Sequence, residues 1–242
     1  MEFAGIYGTH QRMQIPIEIG VALHDPATDE VSFAGKAFAR DIDVELWKNV
    51  TNDIGKRVDG HRRIFNLLRP GESREFDKKF HLDSEGFHKA RSAIAAVHSD
   101  LRRFMQALNR RNITTLVFFA RRREMETFRH ARVSMDGFEI RDIQSEIKRE
   151  YSLKEDVSLD RMSLTIGFAI RKTAISSTHF SYSIPEKYRY IIKPHKAIGD
   201  AARMLLVSQE FSLYRDEFGE RVEAHVRDYE ARKIVPGPPE NA

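Results

Sequence analysis

Cysteine is absent from all 242 residues. The chain therefore carries no disulfide, no thiolate zinc site and no cysteine nucleophile, and any metal must be held by oxygen or imidazole. Tryptophan occurs once, and no apolar run approaches the roughly 20 residues that a membrane helix needs. A Gly-rich phosphate loop, a G-x-S-x-G elbow and an HExxH pair are all missing, which speaks against the enzyme classes built on them. The first residues have neither the basic n-region nor the apolar h-region of a secretion signal. Together these absences predict a soluble intracellular protein, cytoplasmic or nuclear, with no membrane partner.

What is present fits a globular chain. Hydrophobic residues make up 41% and charged residues 31%, too apolar and too mixed in sign for a disordered polymer. Lys and Arg number 40 against 36 Asp and Glu, for a net charge of +4. That mild basic balance permits a nucleic-acid partner without demanding one. The length suits one large α/β domain.

The opening reads as strands. In IPIEIGVAL, residues 15 to 23, branched Ile15, Ile17, Ile19 and Val21 alternate with positions that include Gly20 and Ala22, so both faces are expected to be covered. The turn from His24 to Glu30 leads into VSFAGKAFAR, which predicts a hairpin, and residues 2 to 7 add a third strand. Residues 41 to 84 show no sustained period and read as an insertion of short helices and loops. From Ser84 the residues Phe87, Ala90, Ile94, Val97, Leu101, Met105 and Leu108 recur at three- and four-residue steps, which predicts a helix ending near Asn109.

TTLVFFA, residues 114 to 120, predicts a fourth strand, and a charged helical stretch follows from Arg121 to about Arg132. FEIRDI, from Phe138, predicts a fifth strand, with Asp142 as a cap or turn residue. Helices are expected over 144–151, over 158–170 with Ser158 as cap, and over 196–214, continuing as a charged tail helix to about Lys233. IVPGPPENA forms a Pro-rich end.

One segment points to chemistry. In PHKAIGDAARMLL, His195 follows a proline and precedes a helix, while Asp200 shares a helix side with Ala197, Met204 and Val207. A solvated acid would avoid an apolar face, and a loop histidine can point over the helix start toward the same space. The run His195-Lys-Ala-Ile-Gly-Asp200-Ala201 resembles the third motif of the DEDDh 3′-to-5′ exonucleases. The resemblance implies a ribonuclease H-like α/β fold: a mixed sheet, with three antiparallel strands beside parallel ones, flanked by helices. It covers residues 1–213, with an insertion at about 41–84, followed by a charged helix and Pro-rich tail over 214–242.

The resemblance further implies Mg²⁺ or Mn²⁺ as cofactor, a two-metal hydrolysis of DNA or RNA phosphodiesters, His195 as general base, and a single-stranded 3′ end as partner. By position, Glu2 stands for the metal-binding Glu of the first motif, Asp200 for the Asp of the third, and Glu124 for the Asp of the second. The first motif's Asp would fall one residue before Met1. The sequence therefore carries two expectations, an exonuclease whose reading frame extends upstream, or a catalytically weakened module that binds nucleic acid or a protein. Arg121, Arg122 and Arg123, at the end of the fourth strand, could grip phosphates. Tyr182, Tyr188 and Tyr190 could stack on bases or pack on the core. Glu18, the sole charge in an apolar strand, is read as structurally paired.

Overall fold

A computed structural model of the protein describes residues 1–7, 12–37, 51–52, 79–81, 84–171, 173–193 and 196–234. The fold is mixed α/β, with both parallel and antiparallel strand pairs. Strands β1 (Glu2–Tyr7), β2 (Arg12–Asp25) and β3 (Glu30–Ala37) form an antiparallel meander in the order β3-β2-β1. The β2–β3 turn is closed locally. The Asp25 side chain accepts the Ala27 N–H at 2.9 Å, and Asp29 takes the left-handed conformation, φ 53°, that a short polar side chain tolerates.

Beyond β1 the sheet continues with β5 (Lys79–His81), parallel to it, and β4 (Thr51–Asn52). Both lie inside the stretch read from sequence as short helices and loops. Gly5–Tyr7 pair with Lys79–His81, so part of that stretch extends the main sheet. The rest of it lies outside the described residues. The strand expected over 114–120 is β6 (Thr115–Phe118), and it pairs in parallel with β7 (Glu139–Asp142) as a separate two-stranded sheet.

Helix α1 (Ser84–Asn109) has the expected bounds, and α2 (Arg122–His130) follows β6. Asp142 closes β7 and caps α3 (Ile143–Glu150), accepting the backbone N–H groups of Ala120, Arg121 and Ser145. Ser158 caps α4 (Leu159–Thr165). The helix expected to reach 170 stops there instead, because Gly167 reverses the chain at φ +64° and Phe168 N–H returns to the Ser163 carbonyl. Ala169–Ile170 then form β8, antiparallel to β9 (Ala174–Ser176), which pairs with β10 (Ser181–Ser183).

The last helical stretch breaks at Tyr214 into α5 (Ala197–Leu213) and α6 (Arg215–Ile234). Despite its charge, α6 contributes Phe218 and Val222, both fully buried, to the same core as Phe211. Phe218 and Val222 are four apart and so share one face of α6. Among the described residues, no helix is long and apolar enough to cross a membrane.

The pleat of β2 sorts its side chains. Ile19, Val21 and Leu23 pack with Val97, Leu101 and Met105 of α1, whereas Ala22, with Phe33 of β3, joins Ile198, Leu206 and Val207 of α5 in a second cluster. β6 and the residue after it divide in the same way, with Leu116 and Phe118 toward the α1 cluster and Val117 and Phe119 toward the α5 cluster. Helix layers thus cover both faces of β2 and β6, as their apolar runs require.

Candidate functional site

A cavity of about 760 Å³ lies between β2 and β6. Ile19–His24 form one wall and Asn112–Phe119 the other. Met105 and Leu108 of α1 lie on one side, and Asp200, Ala201, Met204, Leu205, Ser208 and Gln209 of α5 on the other. The seating of α5 depends on Gly20. A Cβ there would stand 2.3 Å from the Ile198 nitrogen and 2.4 Å from the Ala197 carbonyl carbon, so only glycine lets the start of the helix rest on β2.

The acids gather at one end of this cavity. Asp200 and Glu124 both line it, together with Met1. The Met1 ammonium lies 3.4 Å from Glu124 Oε1, while Glu124 Oε2 is buried without a hydrogen-bond partner. Glu18 is the partner of Glu2 in the β1–β2 register, is 7% exposed, and has an unpartnered Oε2. Burial pushes the Glu18 carboxyl above its ordinary value, and the Asp200 charge adds to this, while Lys196 and the Ala197 N–H pull the other way.

Three of the four catalytic residues expected from sequence can be placed in part. Asp200 and Glu124 both line the cavity. The backbone of Glu2 adjoins them in β1, but its side chain lies outside the described residues, as does the whole of His195. Arg121, Arg122 and Arg123 are exposed at the start of α2, with Arg121 Nε 3.9 Å from Asp142. Tyr182 and Tyr188 are committed to the core. Tyr182 donates to Asp29 at 3.0 Å and accepts from Gln209 at 2.6 Å, and burial pushes its hydroxyl up to about 12. Tyr188 donates to the Phe33 carbonyl. Only Tyr190 of the three is open, at 81% exposure.

One residue that sequence reading did not single out is Arg203. It is 4% exposed, donates to Asp200 Oδ1 at 2.5 Å, and is anchored from α4 by Asp160. The three-residue spacing from Asp200 to Arg203 on one helix was the available signal. This guanidinium fixes the Asp200 carboxylate and offsets its charge.

A hard divalent cation would suit the buried carboxylate oxygens in kind. In number they fall short: among the described residues, no group of three or more His, Asp or Glu side chains is placed to hold a metal. The described donors do not amount to a cation site.

A carboxyl whose folded-state value is raised favours folding only while protonated. The Glu18 penalty is absent below its ordinary value of 4.5 and builds as the pH rises through the folded value. Glu18→Gln should therefore raise the melting temperature by a few degrees at pH 7, with the gain vanishing near pH 4. Thermal melts of both proteins from pH 4 to 8 check this, and a gain independent of pH would refute it.

No family model, no curated protein and no solved structure matches this chain.

Proposed function

We propose that this chain is a ribonuclease H-like module of the 3′-to-5′ exonuclease type, acting on the phosphodiesters of single-stranded DNA or RNA ends with Mg²⁺ or Mn²⁺. The observation that carries it is that Glu124 and Asp200, distant in sequence, line one cavity together with Met1, the neighbour of Glu2. The antiparallel β1–β3 meander and the parallel β6–β7 pair agree in kind with such a fold. The exposed arginines at the start of α2 add support. Cations in the first turn oppose the helix dipole, and an incoming phosphate would offset that cost.

A second reading rests on a different observation. Arg203 already neutralises Asp200, and the described carboxylates do not complete a cation site. On this reading the cavity end is a weakened remnant, and the protein binds nucleic acid without cutting it.

The purified chain, incubated with 5′-labelled single-stranded DNA or RNA and Mg²⁺ or Mn²⁺, should produce products shortened from the 3′ end. Asp200→Asn and Glu124→Gln should each slow this on the order of a hundredfold, with melting curves showing that the variants remain folded. Binding without shortening selects the second reading. Neither binding nor shortening would overturn both.

A further inference from the structure

Helix α2 leads away from the acids of the cavity and carries a surplus of positive charge. Glu124, in its first turn, and Phe128, one turn on, line the cavity. The residues of α2 turned to solvent are Arg122, Arg123, Glu126, Arg129 and His130, and the chain continues into exposed Arg132. Residues 121 to 132 hold five Arg and one His against two Glu, in a chain whose net charge is only +4. Arg121 lies near Asp142, but among the described residues no acid pairs with Arg122, Arg123, Arg129, His130 or Arg132.

Helix α1 adds to the far end. Arg102 donates to the Ala131 carbonyl at 2.7 Å, which sets its guanidinium against the last turn of α2. His98 stands one turn earlier on α1. Burial, and then the charges of His130 and Arg102, hold its imidazole below the ordinary value, so these three side chains are close neighbours. Helix electrostatics account for only part of this gathering. Arg129 and His130 suit the negative end of the α2 dipole, whereas Arg122 and Arg123 oppose its positive end. Arg132 lies beyond the helix at φ 53°, a conformation that glycine usually supplies there.

Resting on the nucleic-acid reading above, we propose that the outer face of α2 carries the backbone of one nucleic-acid strand away from the cavity, with His98, Arg102, Arg129, His130 and Arg132 holding its phosphates at the far end. The nine residues of α2 span about 13 Å, the rise of about four stacked nucleotides. The lack of apolar groups selects the partner. Among the described residues of α2 and the turn after it, no large apolar side chain is exposed. A protein partner would need apolar or aromatic anchors at the centre of its interface, and a membrane surface would need an apolar helix face. A phosphate backbone needs only spaced cations.

Fluorescence anisotropy of the full chain with labelled single-stranded DNA and RNA 12-mers, in EDTA so that no strand is cut, tests this path. The double variant Arg129→Gln/Arg132→Gln should bind on the order of tenfold more weakly than the parent, with an unchanged melting temperature. Its slope of log affinity against log salt should be shallower by about 1.4, the share of two single-strand phosphate contacts. Arg149→Gln/Lys154→Gln, an equal loss of charge at exposed residues elsewhere, should bind as the parent does. Parent-like binding by the first variant, or equal weakening in both, overturns the path along α2 and leaves the nuclease reading standing. Displacement of the strand by polyglutamate as readily as by unlabelled oligonucleotide overturns nucleic acid as the occupant. A parent that binds neither 12-mer sinks the nucleic-acid reading and this path with it.

Discussion

Replacing Gly20 with alanine is expected to lower the melting temperature on the order of 10 °C or to prevent folding outright. The new methyl would lie 2.3 Å from one backbone atom and 2.4 Å from another, both in the first turn of α5. Neither is the movable end of a side chain, so relief requires the helix to lift from β2, with a cost of about 3 kcal/mol or more. Two other glycines calibrate the effect. At Gly35 the added methyl would meet the Ile198 side chain at 2.7 Å, which can adjust, and the Ile19 carbonyl oxygen at 2.9 Å, a milder overlap than the backbone contacts at Gly20, so its cost is smaller. At Gly137 nothing lies within 4 Å, and only the strain of φ +85° remains, about 1 kcal/mol. Calorimetric melting of the three variants should rank them Gly20, Gly35, Gly137. A Gly20→Ala protein melting within about 2 °C of the parent would mean that α5 does not rest on β2 as described. The consequence reaches the site, since a lifted α5 carries Asp200 away from the Glu124 side of the cavity.

How far this arrangement was legible in the sequence depended on how local its causes are. The three- and four-residue steps from Phe87 to Leu108 delimited α1 because one apolar stripe is enough to specify a helix face. Asp142 was legible as a cap because the N–H it caps, that of Ser145, is three residues away, whereas its bonds to the Ala120 and Arg121 N–H groups, more than twenty residues back, were not. Asp200 could be placed beside an apolar face from Ala197, Met204 and Val207 alone, and the structure puts it on the cavity wall. Where the cause was distant, the sequence was silent. No period in residues 79–81 announces their parallel pairing with β1, because a three-residue strand is specified by its neighbour and not by its own pattern. The end of α4 was overrun for a related reason: Ala169 and Ile170 continue a helical apolar spacing, and only the reversal at Gly167 removes them from it. The partial burial of Glu124 and its contact with Met1 join residues 123 apart, beyond any spacing rule.

The second large effect is expected at Glu210, for which sequence spacing likewise offers no sign. Its side chain is fully buried in α5, beside the cavity-lining Gln209. One carboxylate oxygen accepts the His179 backbone N–H at 2.9 Å, and the other lies 2.8 Å from both His179 Nδ1 and Arg221 Nη2. The imidazole in turn stacks on Tyr214 at 3.7 Å, at the break between α5 and α6. One acid thus ties the β9–β10 turn, α5 and α6 together. Although burial alone would raise it, the hydrogen bonds from His179 and the Arg221 charge hold the Glu210 carboxyl below its ordinary 4.5. Glu210→Ala leaves a guanidinium and an imidazole without their shared partner, and breaking a buried pair in this way costs about 3–5 kcal/mol, enough to lower the melting temperature by about 10 °C. Glu210→Gln keeps the shape and an acceptor oxygen and should lose less. A depressed acid stabilises the folded state above its unfolded value and ceases to do so as the pH falls through its folded value. The gap between parent and Glu210→Gln should therefore be full at pH 6 to 7 and should close below about pH 4. Thermal melts across that range decide it. A gap that stays constant down to pH 3, or an alanine variant as stable as the parent, would show that the carboxylate charge does not hold the two helices to the turn.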